Sequence, residues 1–304
     1  MTRITTLLFL FCWTLSFKIS GQNDPLYNQY QMNQLLINPA YAGVNDRMTA
    51  TWISRVQWAG VTGAPVTNSA SIHSALNWLN MGLGLAVVND RLGINNNNEV
   101  NVMYSYRLDF GATKLQFGLQ GGLVNFNYDY SKLNLEYLDD PNLQMQQQKF
   151  TKPNIGSGIF YYGSNFFIGI SIPRMINIKV YDGLSTSVRY RRQEYFSAGY
   201  LFVLSEGFKL KPSVLLKMTQ GAPFSYDVNV NALLAETLWV GLTLRNQSAL
   251  GVNTMLEITD RIRFGYTFEY PFKPMNFGNY GTHELMVSFD FTPFRNQLAT
   301  RRYF

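Results

Sequence analysis

Two histidines, one cysteine and nineteen carboxylates are the first side chains to weigh for metal, thiol or acid–base chemistry in this chain of 304 residues. A metal site needs His, Cys, Asp or Glu clustered at ligand spacing, and neither His73 nor His283 has a second such residue at ligand spacing on its face. Cys12 is the one thiol; beyond it no disulfide, thiolate ligand or cysteine nucleophile is available. No Gly-x-Ser-x-Gly elbow, phosphate loop or Gly-x-Gly-x-x-Gly fingerprint opens a helix. Asp109, Asp227, Glu257, Glu269, Glu284 and Asp290 could contain a paired acid and base. The same periodicity that groups them also groups Arg107, Lys211, Lys217, Arg245 and Arg263, so a mutually neutralising interior network is the better reading. No catalytic, cofactor-binding or metal-binding residue is assigned, and the chain is not expected to be an enzyme.

The elements that would position these charges are strands. From about residue 48 onward, segments of about ten residues alternate apolar and polar side chains. In one, Tyr226, Val228, Val230, Ala232 and Leu234 share a face opposite Ser225, Asp227, Asn229 and Asn231. In another, Val100, Val102, Tyr104, Tyr106 and Leu108 oppose Asn101, Met103, Ser105, Arg107 and Asp109. A period of two gives a strand two unlike faces. When the polar face carries charge in strand after strand, the fitting architecture is a barrel with lipid outside and water inside. The fold class is therefore all-β: a transmembrane antiparallel β-barrel of about 14 strands, with 12–16 admissible.

Connections between the strands alternate in length. Asn77–Asn80, Phe110–Ala112, Gly163–Ser164, Ser205–Gly207, Ala235–Thr237 and Asp260–Arg261 are short. Gly60–Pro65, Asp90–Asn98, Asp129–Pro153, Pro173–Gln193, Thr219–Phe224 and Pro271–Thr282 are mostly longer, with Asn246–Gln247 the exception. Outer-membrane barrels have short periplasmic turns and longer extracellular loops, so both termini are expected in the periplasm.

The organisation has three parts: residues 1–21 a secretory signal peptide, 22–47 an N-terminal periplasmic or plug segment, and 48–304 the barrel. The first carries Arg3, an apolar run from Leu7 to Leu15, and small residues Ser20 and Gly21 before Gln22. In the second, Tyr27 to Leu36 could form a short helix that folds back to fill the lumen from the periplasmic side. Inward Leu233 and Met255 also point to a partly filled lumen. The net charge of +6 at pH 7 is spread over strands and loops, with no basic helix, which argues against nucleic acid as a partner. Aromatic residues reach 15%, and the tryptophans are expected at strand ends, in interfacial girdles against lipid and lipopolysaccharide. Gly82 and Gly84 lie within a strand, where glycine eases bending. Two loops are candidate partner-binding elements: one with Tyr137, Asp139 and Asp140, the other with Arg189, Tyr190, Arg191 and Arg192.

One block of sequence goes further. Asp24, Pro25, Tyr27, Gln29, Tyr30, Asn38, Pro39, Ala40 and Gly43, followed by Arg55 and Trp58, resembles the opening of the PorP/SprF family of type IX secretion. The resemblance implies an outer-membrane barrel that partners a secreted cell-surface protein, adhesin-like, during export, with links to gliding motility. It implies as partners a client carrying a type IX C-terminal domain and the lipoproteins of the secretion system. The alternative is an outer-membrane channel for small or hydrophobic solutes, since the fold hosts both.

Overall fold

A computed structural model describes residues 27–132, 147–181, 186–246, 248–272 and 280–291. The segment expected to be a signal peptide, Asp24, Pro25, Tyr137, Asp139 and Asp140 lie outside the described residues. So does the side chain of Arg189.

The wall is built from β1 (Met48–Val56), β2 (Val66–Leu76), β3 (Met81–Leu92), β4 (Asn95–Asp109), β5 (Lys114–Asp129), β6 (Gln147–Tyr162) and β7 (Phe166–Arg174). It continues through β10 (Gln193–Tyr200), β11 (Phe202–Ser205), β12 (Phe208–Thr219), β13 (Ser225–Leu234), β14 (Leu238–Arg245), β15 (Ala249–Glu257), β16 (Ile262–Pro271) and β17 (Thr282–Phe291). Each strand pairs antiparallel with its neighbour, and β1 pairs with β17, which closes the sheet. β10 and β11 are one wall strand broken at Leu201, where the register with β12 runs from Gly199 opposite Ser213 to Phe202 opposite Leu210; the break lies beside Pro212, which has no N–H to donate. The barrel therefore has 14 strands. A separate hairpin, β8 (Ile178–Tyr181) with β9 (Thr186–Tyr190), makes its own two-stranded sheet. Among the described residues there is no α-helix, and no helix is long and apolar enough to cross a membrane.

Burial alternates along the strands as the sequence pattern demands. On β4, Val100, Val102, Tyr104, Tyr106 and Leu108 are exposed on the outer face while Asn101, Met103, Ser105 and Arg107 are buried within. Such rows recur around the barrel and form the apolar belt that lipid covers. A one-residue slip would carry Asp227, Glu269 or Glu284 into that belt, so the register is held by the same pattern that specifies the strands.

The wall is not of even height. β4, β5 and β6 have 15, 16 and 16 residues, more than the 9–11 a membrane-spanning strand needs. The outer face of β3 turns polar after Val87, that of β4 beyond Val100 at Asn98, and that of β5 after Leu123. These strands rise above the belt as a lip on the long-loop side. Five to eight residues at about 3.3 Å each extend it by roughly 15–25 Å before tilt. The expected Asp90–Asn98 loop is accordingly a two-residue turn at Gly93–Ile94, and β6 starts at Gln147 instead of Asn154. Asparagine favours turns, but here the side chains form cross-strand amide pairs, Asn89 with Asn96 and Asn98, at 2.7 and 2.8 Å. The Pro173–Gln193 segment likewise contains the β8–β9 hairpin.

Candidate functional site: the filled lumen and the outer mouth

Residues 27–44 thread the lumen. They form three 3₁₀ turns, Gln29–Gln31, Gln34–Leu36 and Pro39–Tyr41, in place of one helix over Tyr27–Leu36. Local chemistry explains the breaks. The Asn33 side chain accepts the Leu35 N–H at 3.3 Å, and the Asn38 side chain accepts the Ala40 N–H at 2.9 Å. Each asparagine caps a turn and starts the next. Pro39 then opens the third turn, where its missing N–H is not needed.

The wall is shaped to this backbone. Gly82, Gly118 and Gly158 face inward on β3, β5 and β6, and a Cβ on each would fall on the Ala42 carbonyl oxygen, the Ala40 nitrogen and the Asn38 Oδ1. Gly82 thus makes room for the plug, a more specific role than easing bending. Gly84 likewise faces Leu35 and Ala42. Gly43 has φ +75, packs against the Gly82 Cα, and donates its N–H to His73 Nδ1 at 3.1 Å. Ser105 Oγ and Gln116 Nε2 donate to the Ala42 carbonyl at 2.7 and 2.5 Å. Leu35, Ala40, Tyr41 and Ala42 are almost fully buried with Met103, Phe160 and Phe167 of the wall.

Amides fix the rest. Gln31 Nε2 donates to Asn229 Oδ1 at 2.8 Å and Thr243 Oγ1 at 3.0 Å, and Asn231 Nδ2 donates back to Gln31 Oε1 at 2.6 Å. Asn229 Nδ2 donates to the Tyr30 hydroxyl at 2.8 Å. Gln29 Nε2 donates to Thr267 Oγ1 at 2.8 Å, and Asn33 Nδ2 to Ser71 Oγ at 2.8 Å. Burial pushes the phenols of Tyr27 and Tyr30, in the plug and outside the spanning strands, well above their ordinary value. The plug therefore touches β2 to β7, β13, β14, β16 and β17, and its buried residues occupy the lumen.

The charges expected in the lumen sort into three groups. On the long-loop side, Arg55 meets Glu284 at 3.2 Å and Glu269 at 3.5 Å, while Arg245 meets Glu269 at 2.9 Å and Asp227 at 3.0 Å. The plug enters this network directly. Glu284 accepts the backbone N–H of Asn28 at 3.0 Å and of Gln29 at 2.6 Å. Asn28 bridges Glu269 and Arg245 at 2.7 and 2.6 Å. Nearer the short turns, Arg107 pairs with Asp46 at 3.3 Å and Arg263 with Asp290 at 2.6 Å. Also toward the short turns, Lys211 stacks over Trp239 at 4.8 Å and Glu257 accepts the Trp239 indole N–H at 3.1 Å, while toward the long loops Lys217 lies over Tyr195 at 5.9 Å. Trp239 is thus a lumen residue and no part of an interfacial girdle. Asp109 is exposed at a short turn beside Lys114, and does not join the network.

Two features escaped the sequence reading. The plug runs the opposite way to a stopper pushed in from the periplasm: Tyr27–Gln29 lie at the level of Glu284 and Glu269 on the long-loop side, and Asp46 at the short-turn end. The other is an ion pair at the mouth, Arg174 with Glu99 at 2.5 Å, with Asn101 and Asn154 on the same carboxylate. Alternation places Glu99 inside, but Arg174 lay in a presumed loop.

At the mouth, Tyr190 is buried against Phe126, ring centroids 5.2 Å apart, with the Arg174 guanidinium 4.0 Å from its ring centroid. Val124, Tyr128 and Ile178 complete this cluster, so the β8–β9 hairpin folds over the inner face of the lip. Arg191 donates to the carbonyls of Gln220 and Gly221 at 3.0 and 3.1 Å, and Arg192 pairs with Glu194 at 2.7 Å. Trp58, at φ +53 in the β1–β2 connection, donates its N–H to Thr282 Oγ1 at 3.4 Å. A small, partly open cavity remains between plug residues Tyr27, Leu36 and Ile37 and wall residues that include Glu99 and Arg174. Among the described residues no three His, Cys, Asp or Glu side chains gather as a metal site.

The sequence profile of a family described as the type IX secretion system membrane protein PorP/SprF matches residues 19–289. Solved structures similar to this one include the outer membrane protein Omp33 of Acinetobacter baumannii, at 12% identity and a TM-score of 0.47 over 82% of this chain and 100% of that one. The CymD monoaromatic hydrocarbon channel has 11% identity and a TM-score of 0.48 over 89% and 94%. The KdgM porin has 8% identity and a TM-score of 0.37 over 80% and 99%. Comparison with curated proteins finds no significant match.

Proposed function

Because the chain belongs to the PorP/SprF family of type IX secretion membrane proteins, we propose that it is an outer-membrane anchor that holds a secreted cell-surface protein during and after export. The observation that carries this reading is the filled lumen. A channel needs a continuous aqueous path, whereas here wall glycines and an ion network are spent on seating a plug. The raised lip and the hairpin-covered mouth offer a rigid platform on the long-loop side, where an exported protein would arrive. The partner is a secreted protein with a type IX C-terminal domain, with lipoproteins of the secretion system as further contacts and no catalytic chemistry in the barrel itself. Where such a client drives surface movement, the anchor carries its load.

Affinity purification of the chain from detergent-solubilised outer membranes, followed by mass spectrometry, tests the reading. A near-stoichiometric large secreted protein supports the anchor. A bare barrel that conducts ions or takes up small solutes in planar bilayers favours the channel instead.

A further inference from the structure

The lip has one unfinished side. β6 pairs with β5 along its whole length, from Gln147 opposite Asp129 to Tyr162 opposite Lys114. With β7 it pairs only over Ser157–Tyr162, plus one bond from the Met175 N–H to the Ile155 carbonyl at 3.0 Å. From Gln147 to Asn154, no described backbone hydrogen-bonds to the second edge of β6. The β8–β9 hairpin does not cover it, since that sheet pairs only with itself. This edge lies above the apolar belt: Pro153, Thr151 and Lys149 follow Ile155 on the exposed outer face.

Parity tells which groups are open. The Ile155 carbonyl points toward β7, and alternate residues of a strand send both N–H and C=O to the same side. Lys149 and Thr151 therefore aim their N–H and C=O at the empty side, while Phe150 and Lys152 face β5. Pro153 has the same parity, and its missing N–H would point into the gap. That is why a proline is tolerated inside a 16-residue strand.

We infer that the open edge of β6, centred on Lys149 and Thr151, takes up an extended strand of a partner polypeptide and adds it to the lip by β-augmentation. Unpaired strand edges are templates for this, and pockets beside alternate side chains then give specificity. Lys149 on the outer face and Lys152 on the inner face make two copies of this edge repel, and favour an incoming strand with acidic residues on both faces. This rests on the anchor reading: the strand belongs to the secreted protein that the barrel holds.

The probe is the purified C-terminal domain of the secreted protein that co-purifies with the full chain. In the barrel alone, in detergent, residue-resolved hydrogen exchange is fast at Lys149 and Thr151 and slow at Phe150 and Lys152. Adding the domain protects Lys149 and Thr151. Thr151→Pro, which deletes one edge N–H and no bond to β5, weakens the domain's affinity about tenfold. Lys149→Glu weakens it too, and keeps the test open should the proline variant misfold. Slow exchange at Lys149 and Thr151 before any addition overturns the inference, because the edge is then already covered. If the domain binds while both amides stay fast and both variants bind as wild type, the inference is overturned and the anchor reading stands. A barrel that captures no secreted protein overturns both.

Discussion

Replacing Glu284 with alanine tests whether the plug is locked by charge. Glu284 is 1% exposed and accepts three donors: the Asn28 N–H at 3.0 Å, the Gln29 N–H at 2.6 Å and Arg55 Nη1 at 3.2 Å. Removing it leaves two buried backbone donors without an acceptor, at about 1–3 kcal/mol each. Arg55 keeps Glu269, its weaker partner at 3.5 Å, so part of the ion-pair contribution survives. The loss is about 4 kcal/mol of local stability. At about 1.4 kcal/mol per decade, exchange of the amides in the first plug turn, Gln29–Gln31, accelerates roughly a thousandfold. Hydrogen exchange with mass spectrometry in detergent reads this directly. Asp290→Asn is the control: its partners Thr49 and Arg263 lie toward the short turns, and the first plug turn should exchange as in wild type. Wild-type protection of residues 28–31 in Glu284→Ala would refute the reasoning.

Further expectations follow from the same packing. Gly118→Ala drives a methyl into the Ala40 backbone and costs about 1–3 kcal/mol, seen as an earlier heat-modifiability transition on gels. Deleting residues 27–43 removes the lumen filling and should give a barrel that conducts in planar bilayers, where wild type is silent. Tyr190→Ala empties the space against Phe126 and below Arg174, costing about 3 kcal/mol, and should make the β8–β9 hairpin the first site of limited proteolysis.

The barrel was legible because strand alternation is local: whether Val228 or Asp227 faces lipid is decided by parity alone. Parity also placed Asp227, Glu257, Glu269 and Glu284 inside, and strand order then follows from antiparallel neighbours. The partners of these charges were not legible. Arg55 and Glu284 are 229 residues apart and meet only because the first and last strands close the barrel. The contacts of the plug were hidden for a related reason: only the inward Asn229, Asn231 and Thr243 show what the Gln31 amide answers, and only Glu269, Arg245 and Ser71 what Asn28 and Asn33 answer. The lip was missed because Asn95 to Asn98 have turn composition. What holds them in strands is pairing with β3 and β5, a tertiary effect that overrides local preference. Arg191 shows the limit of reading loops by composition, since its guanidinium clamps the Gln220–Gly221 turn.

The most direct test of the anchor account is the quantity of each large secreted protein on the cell surface, with and without this chain. Quantitative surface proteomics of a strain lacking it should show at least one such protein lost from the surface, to the medium or to the cell interior. The wild-type chain should restore it, and plug-destabilised Glu284→Ala should restore it less well. A surface proteome unchanged by the deletion would contradict the account.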